Sequence, residues 1–328
     1  PNLPEKSVGA VGSARASAAE LHDSLRWFDR LDPWLQVWPG HGAGSACGKA
    51  LGDLPSTTLG FERNHNTPLK GSRGSIDAFA NSVLKDQVDP PLYFSRMKRL
   101  NVEGFDLLGE LPEMPKVTAE QVAKEVSGLT ARLLDTRPFN DYRRAHLEGS
   151  WHVPSGRTLP SVAASYADQD ERIYLVVDDA EADLPALVRS LVRVGLDRVA
   201  GYVTPSDLAS YLKANPARST EVRATTAEGL KALLRRQDVI LLDVRNESEY
   251  RVGHLAGAYQ LAHTRLPAGL ANLPSGPLYV YCKSGARSAI AAGWLQSAGR
   301  EVTYVSGGFD EFKRERLPIE TSSDMPAA

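Results

Sequence analysis

The stretch Cys282-Lys-Ser-Gly-Ala-Arg287 concentrates more chemistry per residue than any other part of this 328-residue chain. Cys282 stands where the apolar run Leu278 to Tyr281 ends, and the residues after Arg287 have helical composition. A thiol so placed faces the positive end of a helix and the backbone N–H groups of a curled loop. Gly285 allows the curl, so that the amides of Lys283, Ser284, Gly285 and Ala286 can converge on an anion. Lys283 and Arg287 add cationic charge. All of these favour the thiolate, the form that acts as a nucleophile. An inert, buried cysteine is the plain alternative, but it requires neither Gly nor Arg at these offsets.

The elements that must hold this loop repeat within the chain. Residues 133–154 (LLDTRPFNDYRRAHLEGSWHVP) and 241–262 (LLDVRNESEYRVGHLAGAYQLA) align without gaps and agree at nine of 22 positions. A second correspondence sets Arg172–Val177 against Pro277–Cys282. Two copies of one fold are therefore expected, at 117–217 and 222–320. In the second copy, Ala227–Leu234 reads as a short amphipathic helix, and Val239–Val244, Leu278–Tyr281 and Val302–Val305 read as strands. Arg287–Ala298 reads as a helix. Short apolar runs separated by helices predict an α/β fold, a doubly wound parallel sheet covered on both faces.

The CxxGxR loop, with Asp243-Val-Arg245 at a strand end and Gly253-His-Leu-Ala-Gly-Ala258 downstream, resembles a rhodanese (thiosulfate sulfurtransferase) domain. The resemblance implies that Cys282 accepts sulfur as a persulfide and that the backbone of 283–287 holds the sulfur anion. Lys283 and Arg287 would hold the oxyanion or carboxylate end of the donor. It also implies a small-molecule sulfur donor and a thiol acceptor such as glutathione or a thioredoxin-like protein, with no cofactor for this domain. Cysteine phosphatases use a related cradle with five residues between Cys and Arg; here there are four, a tighter loop better suited to a single sulfur. A redox-sensing or docking module without turnover is the competing reading from another class.

In the first copy the loop position reads Val177-Asp-Asp-Ala-Glu-Ala182, with no thiol, no closing Arg and three carboxylates. Such a loop repels a sulfur anion, so this copy is expected to be inactive; acid–base or metal work by Asp178 and Asp179 lacks a supporting histidine. Asp135 and Asp243, Arg137 and Arg245, and His146 and His254 recur in both copies. Their presence in the copy without a nucleophile predicts structural hydrogen bonding at the strand end.

Residues 1–115 do not repeat. Ser17-Ala-Ala-Glu20 reads as a capping box ahead of Leu21, Leu25 and Phe28, Leu35–Trp38 as a strand, and Ile76, Phe79, Val83 and Leu84 as a second helix. His41 follows the strand among glycines, a way to present a metal ligand, with a capped loop histidine as the alternative; Cys47 reads as structural. PGHGAGSACGKAL, Thr58–Asn64 and Pro90–Asn101 resemble the C-terminal part of a metallo-β-lactamase-fold domain. More narrowly, they resemble the persulfide dioxygenase branch, in which that domain is fused to rhodanese repeats. The resemblance implies an HxHxDH motif, a further histidine and a bridging aspartate upstream of residue 1, so the chain is expected to be a fragment with a partial αββα region at 1–115. Iron is implied only for an intact N-terminal domain, since His41 alone cannot hold it, and dioxygenase or hydrolase activity would need ligands supplied elsewhere.

Composition narrows the rest. Thirty-eight Lys+Arg against 40 Asp+Glu give a formal charge of −2, with no basic excess to suggest a nucleic-acid partner. The apolar runs are too short to span a bilayer. Two cysteines cannot build a disulfide framework, which favours a reducing, cytoplasmic compartment. An incomplete sandwich would expose an apolar face and favour self-association.

Overall fold

In the computed structural model, which describes residues 13–40, 54–85, 91–105, 107, 109–111, 113–235 and 239–321, the chain falls into two units, Pro1–Pro90 and Pro91–Ala328. The first carries α1 (Ser13–Trp27), β1 (Gln36–Val37), β2 (Thr57–Thr58), α2 (Leu59–His65), α3 (Thr67–Gly71) and α4 (Ile76–Leu84). β1 and β2 pair antiparallel. The buried residues of α1 are Ala18 and His22, and the His22 ring meets Phe79 of α4 edge-on at 5.3 Å. The chain is already helical at Ser13, so Ser17 lies inside α1 and caps nothing, which corrects the expected capping box. Real caps sit at Thr58 and Ser75, whose hydroxyls accept from the Phe61 and Ala78 N–H groups. His41 and Cys47 lie outside the described residues.

The second unit opens with α5 (Phe94–Glu103) and then runs through the two copies. The first copy is α6 (Ala119–Ser127), β3 (Ala131–Asp135), α7 (Phe139–Arg144), β4 (His146–Leu147), β5 (Trp151–His152), α8 (Leu159–Tyr166), β6 (Arg172–Val176), α9 (Ala180–Val192), β7 (Val199–Val203), α10 (Pro205–Ala214) and β8 (Ser219–Thr220). The second is β9 (Arg223–Thr225), α11 (Ala227–Leu233), β10 (Ile240–Asp243), α12 (Glu247–Val252), β11 (His254–Leu255), β12 (Tyr259–Gln260), α13 (Leu266–Gly269), β13 (Leu278–Tyr281), α14 (Ala286–Ser297), β14 (Val302–Val305), α15 (Phe309–Arg314) and β15 (Ile319–Glu320).

Both sheets are parallel and wound in the same order. The second runs β12-β10-β13-β14-β9; the first runs β5-β3-β6-β7, with Lys116 bridging to Tyr202 where β9 stands in the other. Antiparallel pairs β4–β8 and β11–β15 also match. Alternate residues of each strand face opposite layers: Leu133 of β3 packs with α6 and α10, and Leu134 packs with α8 and α9. Leu241 of β10 likewise packs with α11 and α15, whereas Leu242 packs with α14. The layers holding α8, α9 and α14 form one core, so a single apolar interior joins one face of both sheets.

The recurring polar residues do structural work in both copies. Asp135 and Asp243 are fully buried and each receives a guanidinium fork, from Arg137 (Nη2 to Oδ2 2.6 Å) and Arg245 (2.5 Å). Each Arg also donates to a carbonyl at the end of the following helix, Ala145 at 3.0 Å and Gly253 at 2.7 Å. His146 and His254 bond through Nδ1 to the Tyr142 and Tyr250 carbonyls, both at 2.9 Å, and stack on the same tyrosine rings.

Two predictions follow from this packing. An ideal Cβ on Gly293 of α14 would lie 2.9 Å from the Tyr142 hydroxyl and 3.0 Å from the His152 backbone nitrogen. Gly→Ala in a free helix gains about 1 kcal/mol. Here overpacking of about 1–3 kcal/mol against the neighbouring copy should exceed that gain, so Gly293→Ala is expected to lower the urea midpoint. Burial also holds the His146 and His152 imidazoles down at about 4, so both stay neutral when folded and take up protons when unfolded. Their contribution is intact above about pH 6.5 and is lost as pH falls toward 4, by about 1.4 kcal/mol per pH unit for each proton. Urea melts at pH 7.5 and pH 5.0 should show lower stability at pH 5.0; equal stability would contradict the assignment.

Candidate active site

Strand β13 ends at Tyr281, and the chain turns at once through Cys282 to Gly285 into α14. Cys282 is fully buried, as are the flanking Tyr281 and Leu242. The Cys282 Sγ accepts the Gly285 N–H at 3.1 Å, and the Ser288 hydroxyl lies 3.5 Å away on the first turn of the helix. Lys283, Ser284 and Ala286 form an exposed rim over it. The structure thus brings the expected residues 282–287 together in one loop at a helix start.

Gly285 sits at φ +93°, in the left-handed region, and an ideal Cβ there would overlap the Tyr304 hydroxyl from β14. Glycine is required on both counts. The loop is pinned from beyond as well: Phe309 N–H donates to the Lys283 carbonyl at 3.0 Å, and a Cβ on Gly308 (φ +79°) would overlap that same carbonyl.

Arg287 is half-buried, and its two Nη atoms donate to Glu249 at 2.5 and 2.8 Å. Glu249 in turn accepts the Asn246 N–H at 3.2 Å, closing a capping box on α12. The hydrogen bonds from Arg287 hold the Glu249 carboxyl below the usual range, and that carboxylate raises the guanidinium further. Arg287 is thus committed to a carboxylate, and Lys283 is the exposed cation of the rim. His263 lies close by: burial, with the Arg287 charge adding to it, lowers its imidazole to about 4. Burial, and then the charge of Cys282, push the Tyr304 phenol up, so its hydroxyl keeps its proton.

Sequence reasoning singled out neither Ser288 nor Glu249 nor Tyr304. Ser288 follows Arg287 directly and was legible as the first-turn residue of α14. Glu249 was legible from the repeat: the first copy has Asp141 there, whose nearest cation is Arg144 at 3.7 Å, and no loop arginine to meet it. Tyr304 had no local signal, because it comes from the neighbouring strand.

The first copy supplies no such site. Val177, where the other copy has Cys282, is buried, and Asp179 caps α9 by accepting the Ala182 N–H at 3.0 Å. Among the described residues, which do not include His41, no group of three or more His, Cys, Asp or Glu is placed to hold a metal ion. No helix among them is long and apolar enough to cross a membrane.

The family described as Rhodanese-like domain matches residues 118–207 and 226–315. An uncharacterized protein of Synechocystis is 36% identical over 113 residues, which are 34% of this chain and 63% of that protein. The thiosulfate sulfurtransferase GlpE of Vibrio cholerae is 31% identical over 94 residues, 28% of this chain and 89% of that enzyme. Among solved structures, a metallo-beta-lactamase from Staphylococcus aureus is similar at 29% identity and a TM-score of 0.47, over 57% of this chain and 50% of that one. The chain thus spans less than two thirds of the Synechocystis relative and half of the solved structure.

The Glu249–Arg287 pair can be tested without reference to activity. Both side chains are about three-quarters shielded. Arg287→Ala and Glu249→Gln should each destabilise the protein. The double variant should cost less than the sum, with a coupling of about 0.5–1 kcal/mol after allowing for solvent screening. Additive losses in urea denaturation would show that the pair does not act as a unit.

Proposed function

We propose, on the premise that this chain belongs to the rhodanese-like domain family, that it is a sulfurtransferase working through a persulfide on Cys282. The observation that carries this reading is the Cys282 Sγ accepting the Gly285 N–H at 3.1 Å where a parallel strand meets a helix start. A negatively charged sulfur is stabilised there by fixed backbone dipoles that need no rearrangement during reaction. The name of the Vibrio cholerae relative supports thiosulfate as a donor class.

In the proposed cycle the Cys282 thiolate attacks the outer sulfur of thiosulfate or of a low-molecular-weight persulfide. A new S–S bond forms, and the old one breaks with sulfite or thiolate leaving with its electron pair. The terminal sulfur of the Cys282 persulfide then carries the negative charge, facing the Gly285 N–H and the Ser288 hydroxyl. An acceptor thiolate attacks that sulfur, takes it, and returns Cys282 as thiolate. Lys283 on the exposed rim attracts the anionic donor, while Arg287, tied to Glu249, fixes the start of α14. Because Cys282 has no exposed surface of its own, a donor reaches it only as the rim of Lys283, Ser284 and Ala286 makes way. That burial also counts against a simple redox sensor, which needs an accessible thiol.

Within this proposal the first copy turns over nothing, and residues 1–115 derive from a metallo-β-lactamase-like domain, on the sequence motifs quoted above. The acceptor is a small thiol or a thioredoxin-like protein in a reducing compartment.

Intact mass after brief incubation with thiosulfate tests the reading. Wild type should gain about one sulfur, reversed by excess thiol, and Cys282→Ser should gain none, as covalent catalysis at this residue requires. No gain with either thiosulfate or glutathione persulfide would sink it.

A further inference from the structure

The inactive copy touches the sulfur loop by a short and traceable route. Phe139, the first residue of α7, packs edge-on against the Tyr304 ring at a centroid distance of 4.8 Å. Tyr304 reaches from β14 until its hydroxyl occupies the space beside Gly285 that a side chain would otherwise fill. Gly285 is the residue whose N–H points at Cys282 Sγ. A residue of one copy therefore bears on the nucleophile of the other through a single intervening side chain.

A second contact acts on the same element from behind. Tyr142 and His152 of the first copy close on α14 at Gly293, and Phe139 packs on both of their rings, at 6.5 and 5.2 Å. The Tyr142 hydroxyl is itself tied to the Ser150 carbonyl at 2.9 Å, so this wall is internally braced. Phe139 joins the wall behind α14 to the ring beside the loop.

We propose that Phe139 is a positioning residue for sulfur transfer: it holds Tyr304 against Gly285 and so aims the loop amide at Cys282, which gives the inactive copy a role in the chemistry of the active one. The inference rests on the persulfide reading of Cys282 and adds a residue that touches neither donor nor acceptor. On the loop itself Phe139 acts through Tyr304, its contacts with Tyr142 and His152 lying behind α14. In the second copy the equivalent position is Glu247, on the exposed start of α12, where an aromatic ring has no such partner.

The test is a kinetic double-variant cycle on the full chain, with Phe139→Ala, Tyr304→Phe and the two combined. It follows persulfide formation from thiosulfate by mass and turnover with a small thiol. Each single variant should lower kcat by about tenfold, the scale expected for small misplacement of a reacting group, with KM for thiosulfate little changed. The double variant should be no slower than the slower single, because one side chain acts through the other. Phe139→Leu, which keeps much of the apolar bulk, should recover most of the rate and serves if the alanine variant folds poorly. Multiplicative losses, a change confined to KM, or full activity in folded Phe139→Ala would each overturn the inference. If wild type forms no persulfide, the proposed function falls by itself. The alkylation rate of Cys282 by iodoacetamide, measured in the same four proteins at fixed pH, then decides the positioning claim by the same pattern.

Discussion

A carboxylate at the end of a central parallel strand, cut off from water, constrains everything downstream of it. Asp243 has no exposed surface, and an uncompensated charge there would cost several kcal/mol; removing one partner of such a buried pair costs about 3–5 kcal/mol. Arg245 meets both carboxylate oxygens and spends its remaining reach on the Gly253 carbonyl, which fixes where α12 ends. Its guanidinium also lies 4.1 Å from the centroid of the Phe309 ring. Phe309 in turn holds the Lys283 carbonyl with its N–H. The same fork that neutralises the strand end thereby sets both neighbours of the cysteine loop: α12, which carries Glu249 to Arg287, and the Gly307-Gly308 turn that pins Lys283.

Duplication separates what the fold needs from what the chemistry needs. The fork, the tyrosine–histidine stack and the closing antiparallel pair occur in both copies, the first two with nearly the same distances, although one copy has Val177 where the other has Cys282. These features therefore belong to the architecture. What differs lies at the same end of the sheet, beside the fork: Cys282 against Val177, Glu249 against Asp141, and the left-handed Gly285 that opens α14 against the Asp179 that caps α9. Without an arginine to pair, the first copy keeps an acid on α7 that meets only an exposed neighbour in its own helix.

Much of this was legible in the sequence, for physical reasons that also explain the gaps. The strands β10, β13 and β14 stood out because a parallel strand covered on both faces is apolar at nearly every position, as Leu278–Tyr281 is, and β3 and β6 followed from the repeat; the polar edge strand β9 gave no such run. The helix after the loop stood out for its composition, and the recurring Asp, Arg and His for their register. The two-residue strands β11, β12 and β15 left no pattern, since a periodicity cannot be read from two positions. The capping box at Ser17 misled because Ser and Glu at that spacing also occur inside a helix, and the residues before it were equally helix-compatible. At the site, the nucleophile and its loop were local and readable. Tyr304 was not, because the contact that defines it comes from another strand, and Glu249 was readable only as a position of the repeat, its pairing with Arg287 joining helices far apart in sequence.

The shared core binds the two copies into one body. Helix α14 buries Ala289, Ile290, Ala291, Ala292, Trp294 and Leu295, which places apolar side chains around its whole circumference. A helix of that kind cannot lie on the surface of one sheet with an open outer face. In this chain its outer face is taken by the first copy: Trp294 lies 5.4 Å from the Tyr166 ring, Gly293 fits under Tyr142, and Gln296 donates to the Glu221 carbonyl in the connection between the copies. Tyr166 adds a hydrogen bond to the His263 carbonyl, so the joint includes the turn beside the Arg287–Glu249 pair. Helix α14, which starts at the Cys282 loop, is thus an interior element of the pair, and the first copy forms part of the surface on which that loop is mounted.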